Sequence, residues 1–335
     1  MASQFSEYIT SMTLFFSIPS STGKTRLKIE KPITSDGVML RHKTTAWTSG
    51  DTKDTGTLIT TITDDSTYKG ANQWYEVSGL TDGTAYYFKA FPYKGSTYNE
   101  VIGVNETLCK AGGLLGEYTF DNISGTTVYD TAGSANGTSN NLSVAAGVVG
   151  NEGVFNGTNS KVLFSPSFSL TDLKTMSCIL DIPATTADQT VMVVKPSGDA
   201  NYNALHFSLL NGGYGLTNAL RVGVSPASGQ SKVGHVALSS ISGDDRVVVF
   251  NFPTMAGTTF DMNLYVNNVS QTLTQDSSTA LSTNPSGLAS ILGAYYNGTT
   301  AYRIFRSGNL DQVRFWNRKL ESYERDNLYN GGAGC

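Results

Sequence analysis

Apolar and polar positions alternate through AYYFKAFPY, residues 85–93. Extended backbone sets Tyr86, Phe88 and Ala90 on one side, and Tyr87, Lys89 and Phe91 on the other. Pro92 and Gly95 then punctuate the run. Upstream, Tyr75, Val77 and Leu80 keep the same period in WYEVSGL. The pattern predicts strand, tight turn, strand. Tyr86 follows Leu80 at the spacing of a tyrosine corner, whose ring packs inward while its hydroxyl bonds a nearby backbone group.

Similar short runs fill the chain. SMTLFFSIP, TRLKIEK, GVMLRH, GTLITTI, WYEVSGL, AYYFKAFPY and TYNEVIGVNETL read as the strands of one sandwich over residues 1–110. LCKAGG, residues 108–113, reads as a hinge. Residues 111–335 hold many more runs, among them GEYTFD, TMSCILDIP, NALHFSLL, DRVVVFNF and GNLDQVRFWNR. So many strands in one unit predict a jelly roll of two large sheets. The expected fold is therefore all-β, with two β-sandwich domains. One helix is expected, ESYERDNLY, with Leu320, Tyr323 and Leu328 buried, Glu321, Glu324, Arg325 and Asp326 polar, and Gly331–Gly332 ending it.

Composition narrows the function. The chain of 335 residues is 39% hydrophobic and carries a net charge of −4. A nucleic-acid binder normally shows a basic patch; KTRLKIEK instead alternates charge with Leu27 and Ile29, as a solvated strand does. No apolar run approaches the ~20 residues that span a bilayer. The N-terminus lacks a basic region, carries Glu7 and alternates like a strand, so it is not expected to be a signal peptide. Cys109, Cys178 and Cys335 form neither a disulfide framework nor a metal site, which suits folding in a reducing cytoplasm.

MTLFFSIP followed by YEVSGLTDGTAYYFKAFPYKG resembles a fibronectin type III module of the variety found in bacteriophage virion proteins. Asp36–Gly37 matches that variety, while Phe16 stands for the tryptophan usual on the family's second strand. From residue 114 onward, GEYTFDNISGTTVYDTAGSANGT, VVGNEGVFNGTNSKVLFSPSFSL, MNLYVNN and GNLDQVRFWNRKLESYERDNLYNGG follow in the order of a laminin G-like, concanavalin A-like jelly roll. That resemblance implies a calcium site near the opening and closing strands, here Asp121, Asp130 and Asp311, with carbonyls from TAGSANG. As turn residues, the same aspartates could simply cap strand ends.

The remaining chemistry points to contact. Glycoside hydrolysis needs two carboxylates flanking the scissile bond. No strand of the second domain carries such a pair, and Asp244–Asp245 reads as a turn. His206 and His235 fall in strand-like runs, with no G-x-S-x-G in the chain. Sugar binding needs aromatic rings beside amides and carboxylates. DANYNALHF, LLNGGYGLTN and GAYYNGTTAYR offer Tyr202, Asn211, Tyr214, Tyr295, Tyr296 and Asn297; against this, tyrosine is common at any protein interface. Two modules suited to extracellular use, in a chain read as lacking a secretion signal, fit a virion protein assembled in the host cytoplasm. The expectation is a non-enzymatic phage structural protein of tail, fibre or capsid decoration. Its partners would be other virion proteins and host glycans, with homo-oligomerisation open, and neither nucleic acid nor membrane insertion. The alternatives are a bacterial lectin-like surface or secreted protein, or a polysaccharide-degrading tail enzyme.

Overall fold

The computed structural model describes residues 12, 15–70, 73–101, 103, 105–166, 168–196, 203–255, 257–281, 288–297, 300–305 and 308–329. The side chains of 195–196, 203–204, 288–291, 294–297 and 300–304 fall outside the description. The chain divides into two compact units, Met1–Gly113 and Leu114–Cys335, and both are β-sandwiches.

In the first unit Thr25–Ile29 lies between Phe15–Pro19 and Gln73–Val77. The other sheet runs Thr57–Ile62, Gly37–Lys43, Ala85–Lys94, with Thr97–Tyr98 and Glu106–Lys110 sharing the far edge of Ala85–Lys94. The run TYNEVIGVNETL is thus two strands and a loop, because Gly103 and Asn105 sit at φ 78° and 55°, where a strand cannot continue. Leu27, Ile29 and Val77 meet Val38, Leu40, Phe88 and Cys109 in the core.

Tyr86 forms the corner. Its ring is buried and its hydroxyl accepts the Thr81 N–H at 3.1 Å. Tyr86→Phe keeps the ring and orphans that N–H, so it is expected to lower stability by about 1 kcal/mol, read from the urea midpoint. The opposite face of this strand is buried too. Lys89 donates to the Val101 carbonyl and the Glu106 carboxylate at 2.8 and 2.6 Å, and Trp47 packs edge-on to Phe91. Phe16 does not take the expected second-strand position. Among the described residues it lies on the first strand, edge-on to Trp74, while Leu27 and Ile29 fill the core from the second.

Among the described residues of the second unit, the two large sheets have ten and eight strands. The larger contains Leu288–Leu292, Gln189–Pro196, Asn203–Leu210, Ala219–Ala227, Gln230–Ala237 and Thr274–Ser278 side by side. The smaller contains Asn151–Phe155, Gly308–Trp316, Thr175–Ile182 and Gly243–Asn251 in that order. The opening strand Leu114–Tyr118 pairs with the closing strand Gly308–Trp316. Phe207, Leu220 and Val222 face Met176, Phe250 and Phe315 across one core.

The closing strand carries a bulge. Arg314 pairs with Ser177 and Asp311 with Ile179, so three steps on one strand match two on the other. Gln312 absorbs the extra residue at φ 50°. Leu310 and Val313 therefore both face the core, while Asp311 and Gln312 both face away from it.

The helix spans Ser322–Tyr329. Glu324, expected at the surface, is buried: it takes two 2.7 Å bonds from Arg318 and accepts the Glu321 N–H at 2.9 Å. That reach back to the helix start satisfies a donor left open by the first turn. Gly331, Gly332 and Cys335 lie outside the described residues. Among those described, no helix is long and apolar enough to cross a membrane.

Candidate functional site

The outer face of the ten-stranded sheet collects a polar row. Asn203–Leu210 turns Leu205, Phe207 and Leu209 into the core, which leaves His206 and Ser208 on the other side. Arg221 pairs with Ser208 on one neighbour and with His235 on the other. Asp276 joins them through a register shift: Val233 pairs with Ser277 and Gly234 with Gln275, so Asp276 is the extra residue. Its carboxylate accepts from Arg221 Nε at 3.1 Å and His235 Nδ1 at 2.6 Å. An ionised carboxylate only accepts, so Nδ1 of His235 carries a hydrogen. Arg221 also donates from Nη1 to His206 Nε2 at 3.0 Å.

One expected sugar-binding loop stands over this row. Asp188 accepts the backbone N–H groups of Asn211 and Gly213 at 2.7 and 3.1 Å, which fixes the loop's entry. Asn211 is exposed. Tyr214 follows in the left-handed region at φ 55°, the residue 64% exposed and its ring stacked on the Arg221 guanidinium at 4.0 Å. Left-handed backbone costs a non-glycine residue about 1–2 kcal/mol, and so exposed a residue recovers little of it by burial. Glycine would take this conformation freely, and its neighbour Gly215 also sits at positive φ, 74°. The stack on Arg221 helps to hold the ring in this conformation.

The other expected residues are less accessible to description. Tyr202 lies outside the described residues. Tyr295, Tyr296 and Asn297 belong to the hairpin of Ala294–Asn297 with Thr300–Ile304, whose backbone packs beside Gln189–Pro196. Their side chains lie outside the described residues. Sequence reasoning missed Arg221, His235 and Asp276, which meet only through sheet register and a bulge.

The three aspartates expected to bind calcium divide into two roles. Asp130 organises a turn: its Oδ1 accepts N–H groups of Glu117, Ala132 and Gly133 at 2.9, 3.1 and 2.9 Å, and its Oδ2 that of Ala135 at 3.2 Å. A carboxylate so occupied caps a strand end. Asp311 is different. It is 2% exposed, Oδ1 accepts the Gln312 N–H at 2.6 Å, and Oδ2 has no partner. Burial, with the charges of Asp121 and Glu152 adding to it, pushes this carboxyl up to about 8. Asp121 accepts the Asn151 N–H at 2.6 Å. Among the described residues no three His, Cys, Asp or Glu side chains converge tightly enough to hold a metal by themselves.

Beside Asp311 opens a cavity of about 380 Å³ lined by Glu152, Asp181, Asp244, Asp245 and Asn309. Burial and then the charge of Asp181 push both Glu152 and Asp245 above the usual carboxylate range. Asn309 donates to Glu152 at 2.6 Å. Asp244 and Asp245, read as a turn, begin the strand Gly243–Asn251. Three strands contribute these carboxylates, so no local spacing announces them.

No family model matches the sequence, and no curated protein matches it. Among solved structures, Trypanosoma rangeli sialidase in complex with 2,3-difluoro-KDN superposes with a TM-score of 0.51 at 12% identity, over 96% of this chain and 54% of the sialidase. The receptor-binding domain of botulinum neurotoxin C/D mosaic serotype gives 0.47 at 11% identity, over 66% of this chain and 51% of that one. The chain thus spans about half the length of the structures it matches. At such identity the sialidase match shows an all-β fold in common and nothing of its activity.

Proposed function

We propose that the protein is a non-enzymatic structural component of a bacteriophage virion whose second unit makes adhesive contact with host glycans. One observation carries the adhesive part: Tyr214 is held exposed, in a backbone conformation that disfavours it, with its ring braced on Arg221. A sugar's apolar face stacks on such a ring, and the bracing lowers the ordering cost of binding. The virion part draws on the fibronectin type III-like and laminin G-like sequence patterns. Other virion proteins, or copies of the chain itself, are the structural partners. A bacterial lectin-like surface protein is the alternative that shares the same site.

Tyr214→Ala is expected to cut capture on a glycan array at least tenfold with the thermal transition unchanged. Unchanged capture would remove the site from the adhesive role. Co-sedimentation with purified particles tests the virion assignment, since a lectin-like bacterial protein would stay with the cells or the medium.

Calcium belongs to this proposal. The unpartnered Oδ2 of Asp311 suits a hard cation, with Asp121, Glu152 and carbonyls of the turn at 147–150 as the other donors. The ion would displace the carboxyl proton and tie the turn to the closing strand. A second reading, glycan hydrolysis, draws on the acidic cavity, because two carboxyls raised side by side suit acid–base work. Release of reducing ends by the purified protein, lost in Glu152→Gln and Asp245→Asn, would put hydrolysis in place of simple adhesion.

A further inference from the structure

Next to the Tyr214 loop the sheet surface dips into a cavity of about 320 Å³, lined by Leu216, Thr217, His235, Ser240, Thr272 and Thr274 among others. We infer that this cavity is a monosaccharide subsite selective for neutral sugars, with His235 Nε2 and the surrounding hydroxyls reading the sugar's hydroxyl groups. The inference rests on the adhesive reading of Tyr214 and adds the class of sugar and a second set of contacts.

The size fits one sugar ring, and the chemistry fits its hydroxyls. Each threonine or serine hydroxyl can both donate and accept, as each sugar hydroxyl can. Ser240 donates to the Ala237 carbonyl at 2.8 Å, which leaves its oxygen free to accept. The short 3₁₀ turn Leu238–Ser240 is held there because the Leu238 N–H donates to the Asn218 carbonyl at 2.8 Å, against the Tyr214 loop. Leu216 supplies apolar contact for ring carbons.

Charge decides the class. Among the described residues, His235 is the one ionisable side chain lining the cavity. Its Nδ1–H is committed to Asp276, so in the neutral imidazole Nε2 is the acceptor for a sugar O–H. Arg221, the nearest guanidinium to this row, is already paired with Asp276 and His206 and covered by the Tyr214 ring. A sialic or uronic acid would bring a carboxylate to a site whose cation is engaged and whose Asp276 repels it. Desolvating that carboxylate without a paired cation is costly. A neutral hexose or N-acetylhexosamine meets no such penalty.

The test uses the full chain on immobilised neutral hexose and N-acetylhexosamine oligosaccharides, beside sialylated and hexuronic-acid-containing counterparts. Wild-type protein is expected on the neutral probes. His235→Ala should weaken retention about tenfold, as loss of one hydrogen bond of ordinary strength does. Thr217→Trp, which fills the cavity from an exposed position, should abolish it. Thr274→Val, a near-isosteric change on the surface, guards against misfolding of the others and should weaken retention several-fold. Preference for acidic probes would overturn the inference and leave adhesion standing. Neutral binding lost in Tyr214→Ala but untouched by the three cavity variants would also overturn it. Retention by no probe would remove the adhesive reading itself.

Discussion

Arg314→Met is expected to destabilise the second unit by about 3–5 kcal/mol, because it strands a buried carboxylate. Glu117 is fully buried and Arg314 nearly so. Arg314 Nε donates to Glu117 Oε1 at 2.7 Å, and its Nη2 donates to Gln312 Oε1 at 2.5 Å. Thr131 donates to the other Glu117 oxygen at 2.5 Å. The chain of contacts therefore ties the opening strand, the turn after Asp130 and the bulge of the closing strand together. Removing the guanidinium leaves a charge that water cannot reach. For a unit of this size the loss corresponds to a fall on the order of 10 °C in the thermal transition, measurable by calorimetry. The double variant Glu117→Gln, Arg314→Met removes both charges at similar volume and should recover most of the loss. If the double variant is as unstable as the single one, packing and not charge is what Arg314 contributes.

That network also shows what a sequence can and cannot reveal. The Tyr86 corner is legible because every determinant is local: the alternation, the turn and the spacing from Leu80 lie within one short stretch. The alternation equally assigns Lys89 and Phe91 to the opposite face. It cannot say that the loop carrying Trp47 covers that face, since the cover comes from a distant part of the chain. The closing strand is legible as a strand, but its bulge is not. A bulge is a mismatch between two strands, and only pairing with Thr175–Ile182 reveals that Asp311 and Gln312 share a side. Glu324 looks solvated by helical periodicity until Arg318 is found within reach.

The site divides along the same line. Asn211 and Tyr214 are neighbours on one loop, and NGGYG marks that loop at once. Their supports, Arg221, His235 and Asp276, come from three strands. The last reaches the cluster only because the register slips at Gly234. Among the acidic residues, Asp130 and Asp311 look alike in sequence. The difference arises because turn N–H groups surround one, while the bulge leaves the other with an oxygen that has no donor.

Calcium should raise the thermal transition of the second unit, and Asp311→Asn should abolish that response. Calcium at about a hundred times its dissociation constant adds about 2.7 kcal/mol, or roughly 5–10 °C for a unit of this size. Among the described residues Asp311 Oδ2 has no hydrogen-bond partner, and the charges of Asp121 and Glu152 help to hold its proton, so the ion would displace that proton and take the oxygen as a ligand. Asparagine keeps the shape and one oxygen but removes the charge on which a hard cation depends. In chelator the Asp311 carboxyl, raised to about 8, is mostly protonated at neutral pH, so Asp311→Asn should be about as stable as the native protein. Asp130→Asn is the contrasting variant. It weakens the turn bonds and lowers the transition in chelator and in calcium alike, yet leaves the difference between the two conditions intact. A calcium response lost in Asp130→Asn and kept in Asp311→Asn would place the ion in the turn. Equal transitions in calcium and chelator for the native protein would remove calcium from the account of this fold.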